Sequence, residues 1–250
     1  MLNLDAIRHI GMQSVPYRYA VIENLLPKEA SLELAVSFPQ EEFRLSKGEG
    51  YGYLWSEMLA SNEDIALMSK FCDACGGRSH RASPELAVRW RDRIADGRLS
   101  SNLENLSGIW RKLIEELWTP GYRQALTEMS GVELKDCAMV IGFRRYNPGH
   151  CHRPHTDEPS KALTHLLFFN EQWPMDWGGC LRILYDEQPE SVFQDIPPLS
   201  QLSAVIVQAH NSWHMVTTVA SAASQCRLAL RVIFFHKLDA GTSKIYTNCS

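Results

Sequence analysis

Basic clusters, long apolar runs and paired cysteines are scarce in this chain, and each shortage excludes something. The net charge is −4, and the Arg144-Arg145 pair is too small to make a basic face. No nucleic-acid partner is expected, because phosphate binding needs Lys and Arg gathered together. No apolar run approaches the length that spans a bilayer, so no membrane partner is expected either. The first residues, Met1 to Gly11, carry Asp5 early and lack the apolar stretch of a secretory signal. Seven cysteines, irregularly spaced, suit reduced thiols better than a disulfide framework, and the expected location is cytoplasmic. Cys72-Asp73-Ala74-Cys75 has neither a second pair nor a nearby His, so it does not read as a zinc site.

What is present is an ordinary globular composition: 250 residues, 45% hydrophobic and 22% charged, enough for a sizeable core. A strand is expected at Tyr17 to Ile22 and a helix at Pro27 to Ala35. The region from 37 to 62, with Gly48-Glu49-Gly50-Tyr51-Gly52-Tyr53, reads as loop and as a candidate lid. Helices are expected at Glu63 to Phe71, Pro84 to Ala95, Ser107 to Leu117 and Gly121 to Met129. From Val132 the period changes to short apolar runs punctuated by Gly, Pro, Asn and Asp. Strands are expected at Ala138 to Phe143, Ala162 to Phe169, Cys180 to Tyr185, Ala204 to Gln208, Trp213 to Val219 and Arg227 to Phe235. The expected fold is mainly β with flanking α, a double-stranded β-helix (jelly roll) with the N-terminal helices packed on the barrel. One domain over 1–250 is expected: helical support and lid at 1–131, jelly-roll core at 132–238 and a tail at 239–250.

On that scaffold the chemistry-bearing residues fall in a fixed order. His155 and Asp157 lie two apart, so an extended chain points both to one face. His214 follows from a later strand. Two imidazoles and a carboxylate are the donor set with which non-haem Fe(II) oxygenases hold iron on one face, leaving other positions open. Arg227 and Arg231 share a face of the last strand, and either suits a carboxylate-bearing co-substrate, since guanidinium pairs with carboxylate through two parallel N–H bonds.

The stretch Arg145-Tyr146-Asn147-Pro148-Gly149, His155-Thr156-Asp157, Leu163 to Trp173, Trp177-Gly178-Gly179-Cys180-Leu181, His214 and Arg227 resembles the 2-oxoglutarate- and Fe(II)-dependent dioxygenases, specifically the prolyl-4-hydroxylase-like branch. It covers about the C-terminal two fifths of the chain. The resemblance implies Fe(II) held by His155, Asp157 and His214, with 2-oxoglutarate and O2 as co-substrates and ascorbate as a candidate reductant. It implies hydroxylation of an unactivated C–H bond with release of succinate and CO2. Asp157 is the carboxylate that related halogenases lack, which favours hydroxylation. Arg227 opens an Arg-x-Ala-Leu strand, as the family's co-substrate arginine does, although the long Thr217 to Gln225 turn keeps Arg231 as an alternative. Where many relatives place a tyrosine this chain has Phe168, leaving Thr164 or Tyr146 to donate to the co-substrate.

Other histidines read differently. His165 is expected to be packed or hydrogen-bonded within its strand, and His210 to be a strand-end polar residue. His150, His152 and Arg153, with the Gly48 to Tyr53 loop, are expected to border the cavity mouth; Tyr53 and Arg231 are further substrate candidates. The expected substrate is a small polar metabolite, amino-acid-like or secondary, bearing a carboxylate or an amine. A peptidyl or protein side-chain hydroxylase of the same mechanism, a cupin-like metal-dependent isomerase or hydrolase, and a silent binding module are the alternatives.

Overall fold

The computed structural model describes residues 1–40, 43–75 and 84–236; the tail expected at 239–250 lies outside them. Six α-helices are described: α1 (Leu4–Arg8), α2 (Lys28–Val36), α3 (Asn62–Cys75), α4 (Pro84–Ala95), α5 (Gly108–Leu117) and α6 (Pro120–Ser130). The strands before the barrel segment are β1 (Tyr19–Glu23), β2 (Arg44–Gly48), β3 (Tyr51–Leu59) and β4 (Leu99–Ser100). Those within it are β5 (Ala138–Tyr146), β6 (Cys151–His155), β7 (Lys161–Phe168), β8 (Leu181–Leu184), β9 (Val192–Ile196), β10 (Leu202–Val207), β11 (His214–Val216) and β12 (Arg227–Phe235).

These strands form one curled, almost wholly antiparallel sheet in the order β1-β10-β7-β12-β5-β3-β6-β11-β8-β9, with β2 and β4 paired to β3. This is the jelly roll, and helices α1, α2, α5 and α6 pack against one face of it. The α5 residues Trp110, Leu113, Ile114 and Leu117 are buried at helical spacing. They join Leu230, Val232 and Phe234 of β12 and Met139, Ile141 and Phe143 of β5 in the main core. Trp110 sits at its centre, 4.9 Å from Phe143, 4.8 Å from Phe169 and 5.5 Å from Phe38 between ring centroids. Truncating such a residue to Ala costs about 3–5 kcal/mol. Helix α6 starts where Thr119 accepts from the Tyr122 amide and Pro120 needs no donor, and it stops at Gly131, whose φ is 64°.

Strand β12 shows how the sheet divides its two faces. Its even-numbered residues face the helices. Of the odd-numbered ones, Ile233 and Phe235 join a second cluster with Met68 and Phe71 of α3 and Leu86 and Trp90 of α4. Arg227, Ala229 and Arg231, on the same face, line a cavity instead. Helices α3 and α4 thus close one end of the inner face with apolar side chains and leave the other end polar.

One expectation is overturned. The region from 37 to 62 is not loop: β2 and β3 form a hairpin, and β3 pairs with both β5 and β6 in the middle of the sheet. Gly48 to Tyr53 is therefore the hairpin's turn and the start of a paired strand, not a lid. The glycines masked the strand signal, since Tyr51, Tyr53 and Trp55 alternate as β-formers do once Gly50, with φ 72°, is recognised as a turn residue. The short elements α1, β4 and β9 also carry too little periodicity to have been expected.

Candidate active site

His155 closes β6 and His214 opens β11, and in the antiparallel pairing of those strands the two residues stand directly opposite each other. Their ring centroids are 4.3 Å apart. Asp157 lies two residues beyond the end of β6, past the regular strand on which it was expected. One ligand-capable atom from each of His155, Asp157 and His214 falls within 4.8 Å of the others. Asp157 and His214 are buried and His155 is half-buried.

Backbone carbonyls fix both imidazoles. Nδ1 of His214 lies 2.9 Å from Ser212 O, and Nδ1 of His155 lies 2.9 Å from Arg153 O. A carbonyl only accepts, so each Nδ1 carries the proton and each Nε2 keeps its lone pair for another partner. Burial, the largest cause, holds both rings below the usual imidazole range. Neutral imidazole is the form that binds a cation.

Burial alone would raise the Asp157 carboxyl. The Lys161 ammonium and then the two imidazoles outweigh it, so the net direction is down and the group is charged. Lys161 donates to Oδ1, and the Thr164 hydroxyl donates to Oδ2 at 2.7 Å. Thr164, expected to donate to a co-substrate, thus has its hydroxyl engaged by Asp157. Lys161 went unrecognised in the sequence; its i+4 spacing from Asp157 was the available signal.

The cluster opens into a cavity of about 60 Å³. Neighbouring strands contribute alternate residues: Thr164 and Leu166 from β7, Arg144 and Tyr146 from β5, Tyr53 from β3, His152 from β6, and Leu181 and Val216 from β8 and β11. Arg227 is 1% exposed, its Nε donates to Gly179 O at 2.7 Å, and its Nη2 is buried with no hydrogen-bond partner among the described residues. Its guanidinium lies between the rings of Tyr146 and Phe168, 5.0 and 5.2 Å from their centroids. The Tyr146 hydroxyl makes no hydrogen bond to any described residue, so of the two proposed donors it is the one left free.

The carbonyl that holds Arg227 belongs to a turn with little tolerance. Trp173 Nε1 donates to Gly178 O at 2.6 Å, and the Trp173 and Trp177 rings meet edge to face at 5.3 Å. Gly178 has φ 61°, and a Cβ there would lie 2.1 Å from Thr218 O.

Of the five substrate candidates, Tyr53, His152 and Arg231 line the cavity, whereas His150 and Arg153 are not among its lining residues. His150 Nδ1 accepts from the Asn147 amide, and the Arg153 side chain packs over Gly50 at the hairpin turn. His165 is fully buried away from the cluster, its Nδ1 2.7 Å from Tyr122 Oη. Arg144 was missed as a cavity residue because Arg144-Arg145 was weighed only as a basic pair. Strand alternation gives the signal, since Arg144 shares a face with Tyr146, and Arg145 points the other way to meet Gln40.

Comparison with known proteins agrees with this geometry. Residues 141–235 match the family described as the 2OG-Fe(II) oxygenase superfamily. That family uses Fe(II), 2-oxoglutarate and O2. A prolyl-4-hydroxylase from Pseudomonas putida is similar in structure, with a TM-score of 0.53 at 16% identity over 93% of this chain and 96% of that one. A 2OG-Fe(II) oxygenase family oxidoreductase from Burkholderia pseudomallei follows, with a TM-score of 0.50 at 14% identity over 88% of this chain and 86% of that one. At such identities the likeness shows a shared fold. No curated protein sequence matches the chain. Among the described residues, no helix is long and apolar enough to cross a membrane.

Proposed function

We propose that this chain hydroxylates a small molecule in an Fe(II)- and 2-oxoglutarate-dependent reaction, with His155, Asp157 and His214 holding the metal and Arg227 pairing with the far carboxylate of 2-oxoglutarate. One observation carries this reading: a two-imidazole, one-carboxylate cluster within 4.8 Å shares a cavity with a buried guanidinium that has an unpaired donor. The donor set fits Fe(II), since both rings are neutral and the carboxylate is charged. When bound, the iron with 2-oxoglutarate and O2 supplies the oxidising chemistry that turns 2-oxoglutarate into succinate and CO2 and hydroxylates the substrate.

The protein's own groups supply geometry. Ser212 O and Arg153 O hold the rings through Nδ1 and leave Nε2 available to a metal, the arrangement that orients histidine ligands from behind. Thr164 fixes one oxygen of Asp157 and leaves Oδ1 facing Lys161, so a cation at Oδ1 competes with that ammonium. Arg227 is held by Gly179 O and flanked by two rings, so it binds and orients a carboxylate with little loss of freedom. Tyr146 is the free hydroxyl beside it. Leu166, Leu181, Val216 and Ala229 add apolar wall between the polar groups.

A small substrate is favoured because the cavity is narrow and β3 closes one side of it. Peptidyl hydroxylation is the second reading, favoured by the structural likeness to a prolyl-4-hydroxylase. Succinate release under Fe(II) and 2-oxoglutarate should be stimulated by members of a small-metabolite panel and not by peptides or folded proteins. Stimulation confined to peptides overturns the small-molecule reading.

A further inference from the structure

The proposed function employs one of three guanidinium groups in the cavity. Arg144 and Arg231 line it too, and nothing so far gives them a task. Arg144 is 5% exposed and Arg231 is half-buried. Among the described residues no carboxylate lies within 4.0 Å of Arg144, Arg227 or Arg231. The cavity's own carboxylate, Asp157, is already held by Lys161 and Thr164.

Each guanidinium offers five N–H donors. Arg144 uses Nη1 on Phe143 O at 2.8 Å, and Arg231 Nε is buried with no hydrogen-bond partner among the described residues. Cations taken out of water without an opposite charge are costly, and these two are neighbours. In the β12–β5 register Ala229 faces Arg144 and Arg231 faces Gly142, so the two arginines sit diagonally on one face. Gly142 leaves the space, since a Cβ there would lie 3.1 Å from Arg144 Nη1. Burial, and then the nearby Arg231, pushes the Arg144 guanidinium down to about 9. A core built for stability alone has no use for this pair, and what the pair lacks is a countercharge.

The pair is separate from Arg227. Two tyrosine rings lie between: Arg227 is 5.0 Å from the Tyr146 centroid, Tyr146 is 5.5 Å from Tyr53, and Arg144 is 5.7 Å from Tyr53. Along β12, four residues from Arg227 to Arg231 span about 13 Å at 3.3 Å per residue. One oxyanion can therefore sit at each end.

We propose that Arg144 and Arg231 form a second anion subsite that takes a carboxylate or phosphate group of the substrate. The assignment rests on the reading of Arg227 as the 2-oxoglutarate anchor. It makes the substrate class acidic and excludes a primary amine as the group bound there, because an ammonium would add a cation to a site that already holds two.

The test uses matched probes: phenylacetate against phenylacetamide, N-acetyl-L-leucine against N-acetyl-L-leucinamide, and inorganic phosphate. Binding is followed by calorimetry on protein loaded anaerobically with Fe(II) and 2-oxoglutarate, and on metal-free protein. The acids or phosphate should bind in the millimolar range or better, and the amides should not. Arg231→Gln and Arg144→Gln should each weaken oxyanion binding roughly 30-fold or more, while 2-oxoglutarate affinity stays within about twofold of wild type. Should Arg144→Gln fail to fold, the half-buried Arg231 position carries the test. Acid and amide binding alike, no oxyanion binding in the millimolar range, or oxyanion affinity unchanged in the variants each overturns the subsite. Loss of 2-oxoglutarate binding in Arg231→Gln with oxyanion binding intact overturns it too. Failure of the wild type to bind Fe(II) and 2-oxoglutarate sinks the proposed function instead. In that case an acid-over-amide preference in metal-free protein, lost in Arg231→Gln, still supports the subsite.

Discussion

The Thr164 hydroxyl of β7 donates to Asp157 Oδ2 at 2.7 Å, seven residues back along the chain. On the proposed function, that contact would put Thr164 behind the carboxylate as a positioning residue. Thr164→Val should lower Fe(II) affinity about 10- to 100-fold, the usual cost of losing a partner behind a metal ligand. 2-Oxoglutarate affinity at saturating Fe(II) should change little. A variant with wild-type Fe(II) affinity and weakened 2-oxoglutarate binding would return Thr164 to the co-substrate.

Arg227→Gln should weaken 2-oxoglutarate binding by about 2–5 kcal/mol, since it removes one half of a buried charge pair. Titration of 2-oxoglutarate into Fe(II)-loaded protein without O2 measures it directly. An unchanged affinity would put the anchor elsewhere on β12.

Gly178→Ala should destabilise the protein. Its φ of 61° costs a side chain about 1–3 kcal/mol in backbone strain, and the new Cβ also meets Thr218 O at 2.1 Å. The neighbouring Gly179 O then moves from Arg227, so 2-oxoglutarate affinity should fall with Tm. Urea unfolding and calorimetry check both; an unchanged Tm contradicts the account of the turn.

Acid should destabilise the metal-free protein partly through His165, which burial pushes down to about 3. The unfolded ring titrates near about 6.5. Between those values the unfolded chain binds a proton that the folded one does not. Stability from this group is therefore complete above about 6.5 and is lost as pH falls toward 3, by up to about 1.4 kcal/mol per pH unit. His165→Gln should show a shallower loss of unfolding free energy between pH 6.5 and 5. Equal slopes in both proteins would remove His165 from the acid response.

The sequence exposed what was strongly periodic and hid what was irregular. Helices α3 to α6 and strands β5, β7, β10 and β12 are legible because their apolar residues repeat at 3.6 or 2 positions over many residues. The candidate cluster is legible for a different reason: His155, Asp157, His214 and Arg227 come in a characteristic order, and their partners are brought together by the fold. Strand β3 was hidden because glycines at 48, 50 and 52 break its apolar pattern, and its pairing with β5 and β6 is long-range. Arg144 was hidden because a charged residue gives no apolar signal of its own; its alternation with Tyr146 on β5, opposite Ala229, is what turns it inward. The commitment of the Thr164 hydroxyl to Asp157 likewise depends on how β7 sits beside the end of β6, which local sequence does not encode.

The central claim is that His155, Asp157 and His214 hold Fe(II) beside 2-oxoglutarate. Anaerobic addition of Fe(II) and then 2-oxoglutarate should produce a weak visible metal-to-ligand absorption band in the wild type. His155→Ala, Asp157→Ala and His214→Ala should each lose the band and retained iron while keeping a cooperative unfolding transition. A wild type without the band, or three variants that keep both band and iron, would contradict the assignment.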